Sequence, residues 1–179
     1  MRLDPSFRRF GAVAVSALLL GAAPMALFAA TPADTLVIAD AIDDIVSLDP
    51  HEAYEFSGLD VVNNTYDGLV ELDPTKPGEL VPGLAESWSA SDDGLTFTFK
   101  IQDNATFSDG SDVTADDVAF TYEQYLNPAN ASPRSGKFTI VKGAQEYADG
   151  TADSISGITV VDPKTISIEL TEPNAAILF

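Results

Sequence analysis

The groups in this 179-residue chain that could do chemistry are overwhelmingly carboxylates: 28 Asp and Glu stand against 9 Lys and Arg, with one histidine and no cysteine. A Ser-His-acid triad would have to run through His51, and no G-x-S-x-G elbow presents a serine to it. A transition-metal site needs several imidazole or thiolate ligands, so a lone His51 reads as a structural residue beside the Asp49-Pro50 turn. Asp43, Asp44 and Asp49 lack the glycine and terminal glutamate of a calcium loop and read as solvated loop acids. Phosphate-cradling glycine loops are absent. Carboxylate pairs alone can run glycoside hydrolysis. The adjacent pairs here, Asp92/Asp93 and Asp116/Asp117, already fit a turn and a helix start. The expectation is therefore a chain that is no enzyme and carries no cofactor or metal. A secreted carboxylate-dependent glycoside hydrolase and a non-binding, structural β-rich surface protein are the alternatives.

The elements that would position these groups are readable from pattern. Leu95, Phe97, Phe99 and Ile101 alternate with Thr96, Thr98 and Lys100, the period of a strand with one buried face. Ser91-Asp92-Asp93-Gly94 precedes it as a tight turn, and Trp88 lies where a hairpin partner would place an aromatic across from that strand. Asp109-Gly110 marks the next turn. Thr114 then stands three residues before Asp117, a helix N-terminus with its carboxylates at the positive end of the dipole. Val118, Tyr122 and Tyr125 or Leu126 continue one face until Asn127-Pro128 stops the helix.

Elsewhere, Leu36 to Ala39 reads as a short buried strand. A helix starting at Ser57-Gly58-Leu59-Asp60 runs towards Tyr66, and Leu69 to Leu72 is a strand. Asp73-Pro74 and Pro77-Gly78 make a turn-rich link, and Pro128 to Lys137 a second loop. Gly143 to Tyr147 is a short helix. Ile158 to Val161 and Thr165 to Leu170 are strands around the turn Asp162-Pro163-Lys164.

Charge sets limits on partners. Residues 1–30 carry Arg2, Arg8 and Arg9 against Asp4 and lead into an apolar run, so they read as a cleaved secretory leader. The remainder holds 6 basic and 27 acidic residues, a net of −21. Such a surface repels phosphate backbones and anionic lipid, so no nucleic-acid partner is expected.

Four pieces carry a family likeness: Pro82-Gly83-Leu84-Ala85-Glu86-Ser87-Trp88, Leu95 to Ile101, Phe107-Ser108-Asp109-Gly110, and Val113-Thr114-Ala115-Asp116-Asp117-Val118. Ser47-Leu48-Asp49-Pro50-His51 and Tyr66-Asp67-Gly68-Leu69 extend it upstream, and Gly157-Ile158 through Leu170 downstream. In this order and spacing the chain resembles the extracytoplasmic solute-binding proteins of ABC importers, family 5, the peptide/nickel/oligopeptide class.

The resemblance implies a mixed α/β, periplasmic binding protein-like two-lobed fold, of which this chain is the N-terminal part of lobe I. Residues 31–68 would be the first segment of lobe I, 69–173 its β-rich second subdomain, and 174–179 a truncated return, with the second lobe missing. It implies an exported periplasmic protein, monomeric when complete. Such a protein captures peptides or peptide-like solutes and delivers them to the permease subunits of an importer. Nickel chelates, opines and some oligosaccharides also fall within the family's range. By the same resemblance, the segment after the Asp-Pro-His turn reaches the ligand, which carries over to Tyr54, Glu55 and Phe56. Loop packing is the other role open to these aromatics. Relatives place an aromatic after the Ser-Pro of the second loop. Here Arg134 follows Ser132-Pro133, a departure that suits a carboxylate-bearing ligand, and equally a solvated surface cation.

Overall fold

The computed structural model describes residues 31–39 and 41–178. The leader assigned to residues 1–30 lies outside them. The chain divides into two units, residues 1–39 and 40–179. In the first, the Thr35 N–H meets the Pro32 carbonyl at 3.0 Å, and no strand forms among its described residues. Leu36, Val37 and Ile38 are exposed, which corrects the buried strand expected there. A strand needs a neighbouring backbone for its N–H and C=O groups, and no described residue pairs with this run.

The second unit is built on an antiparallel sheet of order β3-β4-β6-β5, comprising β3 (Ala85–Ala90), β4 (Thr96–Ile101), β5 (Ile158–Asp162) and β6 (Thr165–Glu169). Phe97, Phe99 and Ile101 of β4 are buried, as their alternation predicts. Opposed residues of an antiparallel pair share a face. Trp88 therefore stands against Phe99, Phe99 against Ile166, and Ile166 against Val160, a single apolar row across all four strands. Helix α2 (Ala115–Leu126) contributes Val118, Tyr122 and Leu126 to the same core. Burial pushes the Tyr122 hydroxyl up to about 12. Ile177 and Leu178, in a 3₁₀ turn over Ala175–Leu178, pack on that core as well.

A smaller hairpin pairs β1 (Val70–Leu72) with β2 (Leu80–Pro82). The second of these strands has no counterpart in the sequence reading. It is three residues long and ends on Pro82, too short for a period-two signal. Helix α1 (Phe56–Thr65) begins earlier than expected. Its N-cap is Glu55, whose carbonyl accepts from Leu59 N–H at 2.8 Å. The Ser57 hydroxyl is spent on Asp44 instead of a cap. The second loop contains a 3₁₀ turn at Ser135–Lys137, and α3 (Ala144–Ala148) follows with Gly143 before it at φ +77°. A Cβ at Gly143 would stand 2.7 Å from Ser156 N, so only glycine fits there.

At the start of α2, the Asp117 carboxylate accepts from Thr114 N–H at 2.8 Å and from its hydroxyl at 2.7 Å, the capping box read from spacing. The β5–β6 turn docks beside it: Pro163 O accepts from Ala115 N–H, and Lys164 Nζ donates to the Val113 and Gln102 carbonyls. Thr114→Ala is expected to lower stability by about 1 kcal/mol, the usual worth of an N-cap oxygen. An unchanged unfolding midpoint would count against the cap.

Five aspartates repeat one device. Asp49, Asp73, Asp93, Asp109 and Asp162 each accept the backbone N–H two residues on, at 2.7–3.1 Å, closing Asx turns. All five carboxyls sit below the ordinary aspartate value of 3.8. That N–H is the leading cause at Asp49, Asp109 and Asp162; the Thr75 and Ser91 hydroxyls lead at Asp73 and Asp93. A carboxyl lowered in the folded state stabilises fully above its unfolded value and loses that contribution as pH falls through the folded one. Unfolding midpoints should therefore hold steady down to about pH 5 and fall below about pH 4. Asp109→Asn keeps the acceptor and removes the titration, so it should flatten part of that fall. Identical pH profiles for variant and parent would count against the turn as its source.

Candidate functional site

The loop from Ser47 to Phe56 carries three of the four candidate residues. Its shape is set locally. Asp49 Oδ1 accepts the His51 N–H at 2.9 Å and faces His51 Nδ1 at 2.7 Å. Asp49 O accepts from Ala53 N–H at 2.8 Å, and Ala53 is fully buried. The chain thus turns through Pro50 and His51 and emerges at Tyr54 with its direction fixed. Tyr54 is 67% exposed and Phe56 94% exposed. Glu55 is half-buried, and its carboxylate accepts the Tyr54 N–H at 3.3 Å. The two aromatics stand two positions apart, so the end of this loop offers both rings to solvent.

The fourth candidate, Arg134, is on the loop after α2. Sequence reasoning did not foresee how the two loops are joined. Tyr125 Oη donates to Pro50 O at 3.1 Å, and Ser132 Oγ donates to His51 O at 2.6 Å. The His51 ring meets the Tyr125 ring edge-on at 4.6 Å, Tyr125 stacks on Phe138 at 4.4 Å, and Phe138 meets Tyr122 edge-on at 5.2 Å. A ladder of four rings therefore leads from the 47–56 loop into the core. The Asp-Pro-His motif was visible in the sequence; the hydroxyls that grip it were not, because they lie 75 and 81 residues away.

Arg134 is half-buried beside this ladder, and its backbone N–H donates to Ser132 Oγ at 3.3 Å. No ion pair joins its guanidinium to a carboxylate among the described residues. Its charge is felt at Tyr125. Burial pushes that hydroxyl up, Arg134 pulls it down, and Asp49 pushes it up again. The structure thus brings Arg134 to the braced end of the loop that carries Tyr54, Glu55 and Phe56, without a hydrogen bond or ion pair between them. A groove of about 400 Å³ opens between the loop after α2 and α3, lined by Asn127, Ser132, Ser135 and Gln145 among others. None of the four candidates lines it.

One member of each adjacent acid pair has a structural role. Asp93 closes the β3–β4 turn and Asp117 caps α2, so neither adjacent pair forms a facing acid–base couple. Among the described residues no group of three or more His, Asp or Glu is placed to hold a metal ion. His51 Nδ1 is committed to Asp49. Its Nε2 is buried without a partner, so a neutral ring leaves only an unused lone pair there. No helix among the described residues is long and apolar enough to cross a membrane.

The sequence model of the bacterial extracellular solute-binding proteins, family 5 middle region, matches residues 79–179. This chain belongs to family 5 of the bacterial extracellular solute-binding proteins. Among relatives, the periplasmic murein peptide-binding protein MppA of Escherichia coli is 31% identical over 171 residues, covering 90% of this chain and 31% of MppA. The periplasmic oligopeptide-binding protein OppAIV of Borrelia burgdorferi superposes with a TM-score of 0.66 at 35% identity, over 72% of this chain and 26% of that one. Haemophilus influenzae OppA, solved in complex with the peptide RPPGFSPFR, superposes with a TM-score of 0.66 at 32% identity, over 72% and 25%. The chain therefore shares the family 5 fold over most of its length, and spans about a quarter to a third of the relatives it matches. These relatives are named as binding proteins.

Proposed function

We propose that this family 5 protein captures peptides or peptide-like solutes in the periplasm and hands them to the permease subunits of an ABC importer. The observation that carries the reading is the braced 47–56 loop, which holds Tyr54 and Phe56 out at 67% and 94% exposure and meets, at its braced end, the Arg134 loop, whose cation has no carboxylate partner among the described residues. Rigid aromatics offer a large contact area at low entropy cost, and extended segments recognise peptides through main-chain hydrogen bonds. Neither aromatic is enclosed by the described residues. That fits one wall of a cleft whose other wall is a second lobe closing by hinge motion. In this reading residues 1–30 are the export leader, 31–68 open lobe I, 69–173 are its β-rich subdomain and 174–179 begin the return. The complete protein acts as a monomer without catalysis. The peptide-binding names of its relatives favour peptides over the family's other solutes.

The test is calorimetric titration of the complete gene product with a peptide library, followed by mass analysis of the recovered ligand. Saturable binding with the peptide returned intact is the expected result. Cleavage of the ligand, or no binding by a well-folded protein, would overturn the reading.

A further inference from the structure

The ligand-side segment, Glu52 to Phe56, is anchored by contacts that are neither local nor part of the sheet. The two carbonyls before it, Pro50 O and His51 O, are consecutive acceptors. Each takes a hydroxyl from a distant part of the chain, Tyr125 at 3.1 Å and Ser132 at 2.6 Å. Both donors are themselves fixed. Tyr125 stacks on Phe138, which meets the core through Tyr122, and Ser132 is buried. The Asx turn at Asp49 sets the curvature of the loop but not where it points. Asp49 O accepts from Glu52 and Ala53 N–H within the turn itself, so these bonds do not hold the turn against α2 and open as it frays once it comes away. Among the hydrogen bonds and ring contacts of the described residues, the two hydroxyls and the edge contact of His51 on Tyr125 tie that turn to α2 and the loop after it. The same Ser132 oxygen accepts the Arg134 N–H, so one atom registers the loop and the cation together.

We propose that Tyr125 and Ser132 are positioning residues for ligand capture: their hydroxyls clamp the carbonyls of Pro50 and His51 and so hold Tyr54 and Phe56 in a fixed register with Arg134. This rests on the peptide-binding reading above. Pre-organisation of this kind raises affinity by removing the ordering entropy that a mobile loop would lose on binding. The clamp does not touch the ligand itself.

In the complete gene product, Tyr125→Phe keeps both ring contacts and removes only the hydroxyl given to Pro50. Ser132→Ala removes the one given to His51. Thr139→Ala is the control: it deletes a hydroxyl-to-carbonyl bond of the same kind, Thr139 Oγ1 to Gly136 O at 3.0 Å, that stays within its own loop. Two quantities are read for each protein, hydrogen exchange at the Glu52 and Ala53 amides and the Kd for the tightest library peptide. Each clamp variant should exchange faster at those amides and bind roughly tenfold more weakly, the scale of one lost hydrogen bond. The control should match wild type in both. A merely structural role would lower the unfolding midpoint and leave the Kd of the folded protein alone. If wild type binds peptide and both clamp variants bind it equally well, the positioning role is overturned while the peptide reading stands. Unchanged exchange in both variants also overturns it. If wild type binds no peptide, the peptide reading fails and this inference falls with it.

Discussion

Replacing Phe99 with alanine is expected to remove about 3–5 kcal/mol of stability, the range for deleting a buried aromatic ring. Phe99 is 2% exposed and occupies the centre of the row running from Trp88 through Ile166 to Val160. Its loss withdraws apolar area from β3, β6 and α2 together, and the surrounding strands are held in register by their own ladders, so collapse around the gap is limited. Trp88, the only tryptophan, lies directly opposite and reports the transition by fluorescence. Phe120→Ala is the comparison. That ring is exposed on the outer face of α2, and its removal should change stability by no more than about 0.5 kcal/mol. A loss below about 1 kcal/mol at Phe99 would mean that the row is not the centre of the core.

The second large effect is on binding. Arg134→Ala in the complete protein should weaken a ligand with a free carboxylate by about 1.5–3 kcal/mol, the worth of a charge-assisted hydrogen bond. An amidated, neutral analogue should lose much less. The motivation is a half-buried guanidinium that no carboxylate of the described residues neutralises, in a chain whose other charges are mostly negative. Some of that acidity is fixed in Asx turns and caps, so it is not free to migrate to the arginine. Equal losses for the two ligands would reject the pairing. No loss for either would return Arg134 to the role of a solvated cation. Because Ser132 Oγ holds both His51 O and the Arg134 N–H, Tyr125→Phe is the variant that, beside Arg134→Ala, separates loop positioning from charge recognition.

Local rules carried far in this chain because most of its elements are specified by residues within a few positions of one another. Alternation over Leu95 to Ile101 and Ile166 to Leu170 picked out the buried faces. Thr114 and Asp117 marked the start of α2, and each Asp-Pro or Asp-Gly step that was read as a turn closes one, from Asp49 to Asp162. The failures have equally local causes. Leu36 to Ala39 has strand composition, but backbone pairing, not composition, makes a strand. The helix start slipped from Ser57 to Glu55 because the serine hydroxyl had a better use in Asp44, a partner 13 residues away.

What the sequence determined by itself, then, was which side chains of β4, β6 and α2 face inward and where the chain turns. Period-two burial, Asx turns and helix caps all depend on neighbours already joined through the chain. The tertiary structure alone decided that β6 inserts between β4 and β5, although α2 and α3 separate it from β4 in the chain. It alone decided that two hydroxyls, 75 and 81 residues away, close on the carbonyls of Pro50 and His51. A carbonyl can accept from any donor that folding brings within about 3 Å, so its partner leaves no mark in the sequence around it. Only the packed core, by placing Tyr125 on Phe138 and burying Ser132, selects which donors arrive.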